Sequence, residues 1–351
     1  MDIQFSFRKR LLYSGILILL TFLIAEGITR LFFADIKTGP VIPENIKRFD
    51  PMLGWGLKPS SSGISSRTGT RIEYRINSKG LRDSEVSYEK PARIFRIVLL
   101  GDSRTFGYGV PIEKHFSMLL EGYFDAVEVI NMGVSGFGVD QELLYLRSEG
   151  VKYEPDLVIA YVAHYGNHRH MHETRFGSQK PRFLLQDGQL ILTNSPVRMN
   201  TGPYYAALEK LHFTMQRYSK LYAIFVEKLT IVIELWRSKY RPEPSDEDNI
   251  MDEGFRTRLY ELGERLVYAM YEESTNHGAK FVLVTHIPEL YDASLKQGLF
   301  ALDVSSALSN AYFPLPDKLQ HINESGNGVL AWEIAQFLKE NRLIPASHLR
   351  F

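Results

Sequence analysis

Uninterrupted apolar runs, and the spacing between them, divide the chain before any other property is considered. From Leu11 to Phe33 the sequence reads LLYSGILILLTFLIAEGITRLFF, with no charge between Leu11 and Ala25. A helix needs about 20 mainly apolar residues to cross the hydrocarbon core of a bilayer, so the run predicts a transmembrane helix over residues 11–33. Further along, shorter β-branched runs recur at Arg96–Leu100 (RIVLL), Val127–Ile130 (VEVI), Leu157–Val162 (LVIAYV) and Phe281–Thr285 (FVLVT), with Leu299–Leu302 a weaker fifth. Such runs suit strands buried on both faces of a parallel sheet. Helical spacing fits Phe116–Phe124, Gln141–Glu149, Phe255–Ser274 and Gly328–Glu340. Strand–helix alternation predicts a three-layer α/β domain over residues 92–345.

Charge orients the first element. Arg8, Lys9 and Arg10 stand just before the apolar run, and the positive-inside rule then puts residues 1–10 in the cytoplasm and everything after Phe33 outside it. In a double-membraned bacterium that is an inner-membrane anchor with a periplasmic domain. Glu26 and Arg30 lie four apart, on one helix face, where they can pair or Arg30 can reach for lipid head groups. The rival reading is a cleaved signal peptide. Its apolar region would be about 7–15 residues followed by small residues, and Ala25-Glu26-Gly27 and Phe32-Phe33-Ala34 match that poorly.

Two regions interrupt the α/β rhythm. Residues 34–91 form a lead-in rich in Gly, Ser and Pro, in which Arg71–Ile76 alternates like a strand and Asn77-Ser78-Lys79-Gly80 reads as its turn. Residues 168–252, approximately, form an insertion. It opens with a hairpin over Phe183–Leu192 turning at Asp187-Gly188, continues through the aromatic-rich Tyr204–Tyr240, and ends in the acidic RPEPSDEDNIMDE. The aromatic segment reads as core packing, as a cap over a cleft, or as a partner-binding or membrane-surface helix. The acidic stretch reads as a solvated connection.

Composition narrows the chemistry. Across 351 residues, 41 Lys+Arg balance 41 Asp+Glu, which leaves no electrostatic footprint for a nucleic-acid partner. There is no cysteine, so disulfides, thiolate nucleophiles and cysteine-held metals are excluded. The first domain strand runs directly into Gly101-Asp102-Ser103-Arg104-Thr105-Phe106-Gly107. Open parallel sheets bind ligands beyond the carboxyl ends of their strands, where a Ser in a Gly-flanked turn can be a nucleophile or merely a helix cap. The second strand leads into Asn131-Met132-Gly133-Val134-Ser135-Gly136-Phe137-Gly138, whose backbone can offer an N–H to an oxyanion. After the third comes Ala163-His164-Tyr165-Gly166-Asn167-His168, with an amide side chain. Near the end, Asp317 and His321 can serve as orienter and general base.

These blocks, in this order, resemble the SGNH (GDSL-type) hydrolase superfamily, and more narrowly its membrane-anchored bacterial members. GDSRTFGYGV resembles the first block, NMGVSGFG the second, the stretch around Asn167 the third and the His321 segment the fifth, and the lead-in INSKGLRD and the tail HINESGNGVLAWEIAQFL are similar to those proteins too. The resemblance covers most of residues 50–340. It implies a flavodoxin-like αβα sandwich and serine-ester chemistry. Ser103 would be nucleophile and backbone oxyanion donor, Gly136 a second N–H donor and Asn167 a side-chain donor. His321 would be the base and Asp317 its orienter. No cofactor or metal is implied.

Two spacings depart from the family pattern. Asp317 lies four residues before His321 rather than two or three, and the third-block register puts Tyr165 where the donor Asn usually stands, with Asn167 two residues later. Histidines 164, 168, 170 and 172 also cluster, but only Glu173 offers a carboxylate beside them, weak support for a metal. His286, after the fourth strand, reads as lining the cleft or as a loop residue. The expected function is an extracytoplasmic, membrane-anchored esterase or acyltransferase acting on acyl, chiefly O-acetyl, esters of an envelope glycan. The alternative is an inactive scaffold of the same fold with membrane-complex protein partners.

Overall fold

The computed structural model describes residues 6–33, 42–65, 70–163, 166–175, 178–199, 253–308 and 321–350, together with helical stretches between 211 and 229. The chain divides into two compact units, one of residues 1–41 and 201–243, the other of residues 42–200 and 244–351. The first contains helix α1 (Phe7–Phe32), 26 residues and so about 39 Å long at the usual helical rise. Its apolar side chains, Leu12, Leu17, Ile18 and Leu23 among them, are exposed. The helix is long and apolar enough to cross a membrane, a test that a signal sequence also passes. Glu26 and Arg30 pair at 2.6 Å, one of the two arrangements their spacing allows. The Glu26 carboxylate also accepts from Ser219 Oγ at 2.8 Å and from the backbone N–H groups of Lys220 and Leu221 at 2.9 and 3.0 Å. It thereby caps the helical residues 220–226.

The second unit starts with the lead-in, which folds into two antiparallel pairs: β1 (Lys47–Asp50) with β2 (Gly54–Leu57), and β3 (Ser61–Ser65) with β4 (Ile72–Ile76). The strand expected at 71–76 is β4. Its partner lies upstream, in the polar SSGIS of β3, which carries too little β-branched apolar content to read as a strand. Residues 77–80 do turn, held by Gly80 N–H on the Asn77 carbonyl at 3.1 Å, but they lead into the domain rather than closing a hairpin.

The domain sheet comprises β5 (Phe95–Gly101), β6 (Val127–Asn131), β7 (Leu157–Val162), and then, beyond the short pairs β8 (Thr174–Arg175)/β9 (Ser178–Gln179) and β10 (Arg182–Gln186)/β11 (Gln189–Thr193), β12 (Lys280–Thr285) and β13 (Phe300–Asp303). The order β13-β12-β7-β5-β6 is parallel throughout. Numbered within the sheet, it is the 2-1-3-4-5 arrangement of flavodoxin-like folds. Ile97, Val98, Leu99 and Leu100 are successive residues and all fully buried, which is why their run shows no alternation. One face carries α3 (Phe116–Glu121) and the last helix, Glu324–Glu340, through Phe116, Leu120, Leu330, Ile334 and Leu338. Each such side chain contributes roughly 1.5–3 kcal/mol on burial. On the other face, Val139–Ser148 lies beside Glu253–Asn276.

The inserted hairpin forms where expected, with Asp187 and Gly188 both at positive φ, as a type I′ turn requires. It is anchored by a fully buried ion pair between Lys180 and Asp140. The acidic stretch expected as a connection lies outside the described residues up to Asp252, and its last residue, Glu253, begins the helix Glu253–Asn276.

Candidate active site

Strand β5 delivers the chain to a tight turn. Gly101 sits so close to Thr105 that a Cβ would collide with its side chain. Asp102 caps the four-residue helix α2 (Ser103–Phe106), its Oδ1 accepting from Arg104 N–H at 2.9 Å. Ser103 is therefore the first residue of a helix standing at the carboxyl end of a central strand. Its Oγ lies 2.7 Å from Nε2 of His321. The two are 7% and 6% exposed, so little water competes for the hydrogen bond. With the ring proton on Nδ1, that geometry has the Ser103 hydroxyl donate to Nε2, the arrangement a general base needs.

The imidazole has a second neighbour that the sequence did not single out. The Tyr108 ring lies 4.5 Å from it, centroid to centroid, and is itself buried. No alignment of hydrophobic positions would have marked Tyr108, because its partner is more than two hundred residues away. Asp317 lies outside the described residues, as does Tyr165.

The second block comes back against α2. Val134 N–H bonds to the Gly101 carbonyl at 3.1 Å, and Phe137 N–H to the Val134 carbonyl at 3.2 Å. Gly136 takes a positive φ of 87° inside that turn, a conformation glycine adopts without strain. Gly133 is closer still: a Cβ there would run into the backbone of Thr105 and Phe106. Asn167 belongs to the 3-10 helix Gly166–Met171 that follows β7, while its side chain lies outside the described residues. Two residues on, Arg169 Nη1 donates to Asp102 Oδ2 at 2.8 Å and to the Phe137 carbonyl at 2.9 Å. One guanidinium thus ties the third block to the first and second.

Of the histidines in the third block, His170 is buried with Nε2 3.0 Å from the Leu259 carbonyl, and among the described residues no group of three metal-ligating side chains converges. His164 lies outside the described residues. His286 bonds Tyr161 Oη through Nε2 at 2.8 Å. Burial, assisted by the Arg104 charge, pulls its pKa down to about 4, so it is a neutral ring at pH 7. A narrow pocket adjoins this region, lined by Asp102, Phe137, Tyr161, Ala163 and Arg169 among others.

Ser103 follows β5 and the 3-10 helix bearing Asn167 follows β7. These adjacent strands continue to opposite sides of the sheet, so the crevice between their carboxyl ends is the topological switch point where open α/β sheets bind ligands.

No protein-family model matches the chain, and no curated protein does. Similar solved structures include a lipolytic protein of the G-D-S-L family from Desulfitobacterium hafniense DCB-2, at 12% identity and TM-score 0.38, covering 69% of this chain and 99% of that one. A psychrotrophic esterase, EstA from Pseudoalteromonas sp., has 13% identity and TM-score 0.38 over 70% and 98%. An acetyl-xylooligosaccharide esterase from Geobacillus has 11% identity and TM-score 0.36 over 70% and 96%. The chain is similar to the GDSL-type (SGNH) hydrolases: its sequence blocks follow their order, and its sheet has the flavodoxin-like arrangement that the resemblance implies.

Proposed function

We propose that the chain is a serine ester hydrolase or acyltransferase that works through a Ser103 acyl-enzyme, anchored by residues 11–33 with its catalytic domain outside the cytoplasm. The observation that carries the reading is the 2.7 Å hydrogen bond from Ser103 Oγ to His321 Nε2 at the switch point of the sheet. Ser103 Oγ attacks the ester carbonyl carbon while its proton passes to Nε2. The carbonyl oxygen becomes an oxyanion, for which the Ser103 and Gly136 N–H groups and the Asn167 amide are the assigned donors. Collapse re-forms the carbonyl and expels the alcohol, which leaves with the proton from the imidazolium. Water, or a sugar hydroxyl, then gives its proton to Nε2 and takes the acyl group, and Ser103 Oγ leaves with that proton from the imidazolium, which restores the resting pair. Asp317 is assigned to orient the imidazole.

The proposed substrate class rests on the proposed placement. An extracytoplasmic serine esterase held at the membrane meets acylated envelope glycans, and O-acetyl esters of such a glycan are the proposed substrate. Turnover of p-nitrophenyl acetate by the full chain in detergent, set beside Ser103→Ala, tests the chemistry. Loss of turnover in the variant supports the reading. Equal background rates in both would turn it toward the scaffold, for which the next measurement is copurification with membrane proteins.

A further inference from the structure

The lead-in carries a buried cation whose hydrogen-bond acceptors, among the described residues, lie in the turn that follows the nucleophile. Arg82 is 1% exposed. Its Nη1 donates to the carbonyls of Phe106, at 2.9 Å, and Gly107, and its Nη2 to that of Val110 at 2.6 Å. The guanidinium carbon sits 4.5 Å from the Tyr74 ring centroid and 5.3 Å from that of Phe106, in the range of a cation–π contact. Tyr74 in turn accepts from Gly109 N–H through its hydroxyl at 2.9 Å.

Helix α2 is one turn long, so its last carbonyls have no partner within the helix. A cation at that end satisfies the last of them, that of Phe106, and complements the partial negative charge there. Gly107, at φ 79°, leaves room for this. A Cβ there would come within 2.6 Å of Arg82 Nη1 and 2.7 Å of the His115 ring. Burial lowers the Arg82 pKa to about 10, which still leaves it charged at neutral pH. The next residue, Tyr108, bonds back to the Ser103 carbonyl through its N–H at 3.0 Å and sets its ring on His321.

We infer that Arg82 is a positioning residue for the Ser103–His321 pair: by gathering the carbonyls of Phe106, Gly107 and Val110 it fixes the turn that holds Tyr108 against the imidazole. The inference rests on the serine-esterase reading above. It assigns the lead-in a part in catalysis, made by a residue that touches neither reacting group. Lysine cannot replace it, because a single ammonium lacks the planar fork that serves several diverging acceptors.

The test compares the full chain in detergent as wild type, Ser103→Ala, Arg82→Ala, Arg82→Lys and Tyr108→Ala, each with and without guanidinium ion. In Arg82→Ala, kcat for p-nitrophenyl acetate should fall by roughly ten- to a hundredfold, the scale of a misplaced reacting group, with KM little changed. Guanidinium should restore much of that kcat and raise the melting temperature of Arg82→Ala, while doing neither for Tyr108→Ala. Wild-type-like kcat in Arg82→Ala, or a loss that guanidinium does not relieve in a folded variant, overturns the inference and leaves the esterase reading standing. Should Arg82→Ala not fold, Tyr108→Ala decides, and undiminished kcat there overturns it. Equal inactivity of wild type and Ser103→Ala brings down both readings.

Discussion

At the scale of single residues, the Ser103–His321 pair is buried, and the His115 and His286 rings are held neutral near neutral pH. His321 holds the Ser103 hydroxyl, whereas His286 and His115 bond elsewhere. Replacing His321 by Gln should therefore lower kcat by on the order of a thousandfold or more, as removal of a base from such a pair does, while His286→Gln should leave an ordinary ester rate within a few fold. Steady-state kinetics on the two variants separates them. His115 offers a pH test. It is fully buried, with Nδ1 2.8 Å from Ser117 Oγ and Nε2 3.0 Å from the Arg104 carbonyl, and burial drives its pKa from 6.5 down to about 3. The folded state thus binds fewer protons than the unfolded one between those values. Its contribution to stability is complete above pH 6.5 and drains away as pH falls toward 3. Melting temperatures of wild type and His115→Gln, measured from pH 7.5 to 4, should converge as the pH drops. A constant gap would contradict the assignment.

At the scale of elements, the site is an arrangement of strand ends, and the close approaches between them are made by glycine. Gly133 is where the loop after β6 meets the backbone of α2. Gly133→Ala should force the two apart, lowering both the melting temperature and esterase turnover, because the methyl group meets main chain rather than a movable side chain. A change in the sheet core should behave differently. Ile159, fully buried in β7, should cost about 2–5 kcal/mol as Ile159→Ala. The folded fraction should keep wild-type kcat, since the cavity opens away from the strand ends. Chemical denaturation and active-site-normalised kinetics distinguish the two outcomes.

At the scale of the whole molecule, the absence of cysteine makes the proposed topology directly measurable. Single cysteines at Ser6 and at Asn341, before α1 and after the last helix, report on the two sides. In intact cells whose outer barrier is permeabilised, a membrane-impermeant maleimide should label Asn341→Cys and leave Ser6→Cys unlabelled, in keeping with the basic Arg8-Lys9-Arg10 staying in the cytoplasm. Labelling of both would remove the anchor orientation. An N-terminus missing from the mature protein would instead identify residues 11–33 as a cleaved signal, and with it the rival reading.

The sequence by itself determined the elements and their class, because those follow from local periodicity and from residues adjacent in the chain. The five apolar runs became the five parallel strands, each within about two residues of where the run stood, and the GDSRTFG and HIN segments marked the Ser103 and His321 that the fold brings to 2.7 Å. What only the tertiary structure decided are the contacts between distant segments. The polar strand β3 carries no periodic signal and exists because β4 pairs with it. Arg82, Tyr108 and Arg169 read in sequence as ordinary lead-in and loop residues. Each acquires its role from a carbonyl, ring or carboxylate that chain topology alone brings near, since a hydrogen bond or ring contact depends on position in space and not on separation along the chain.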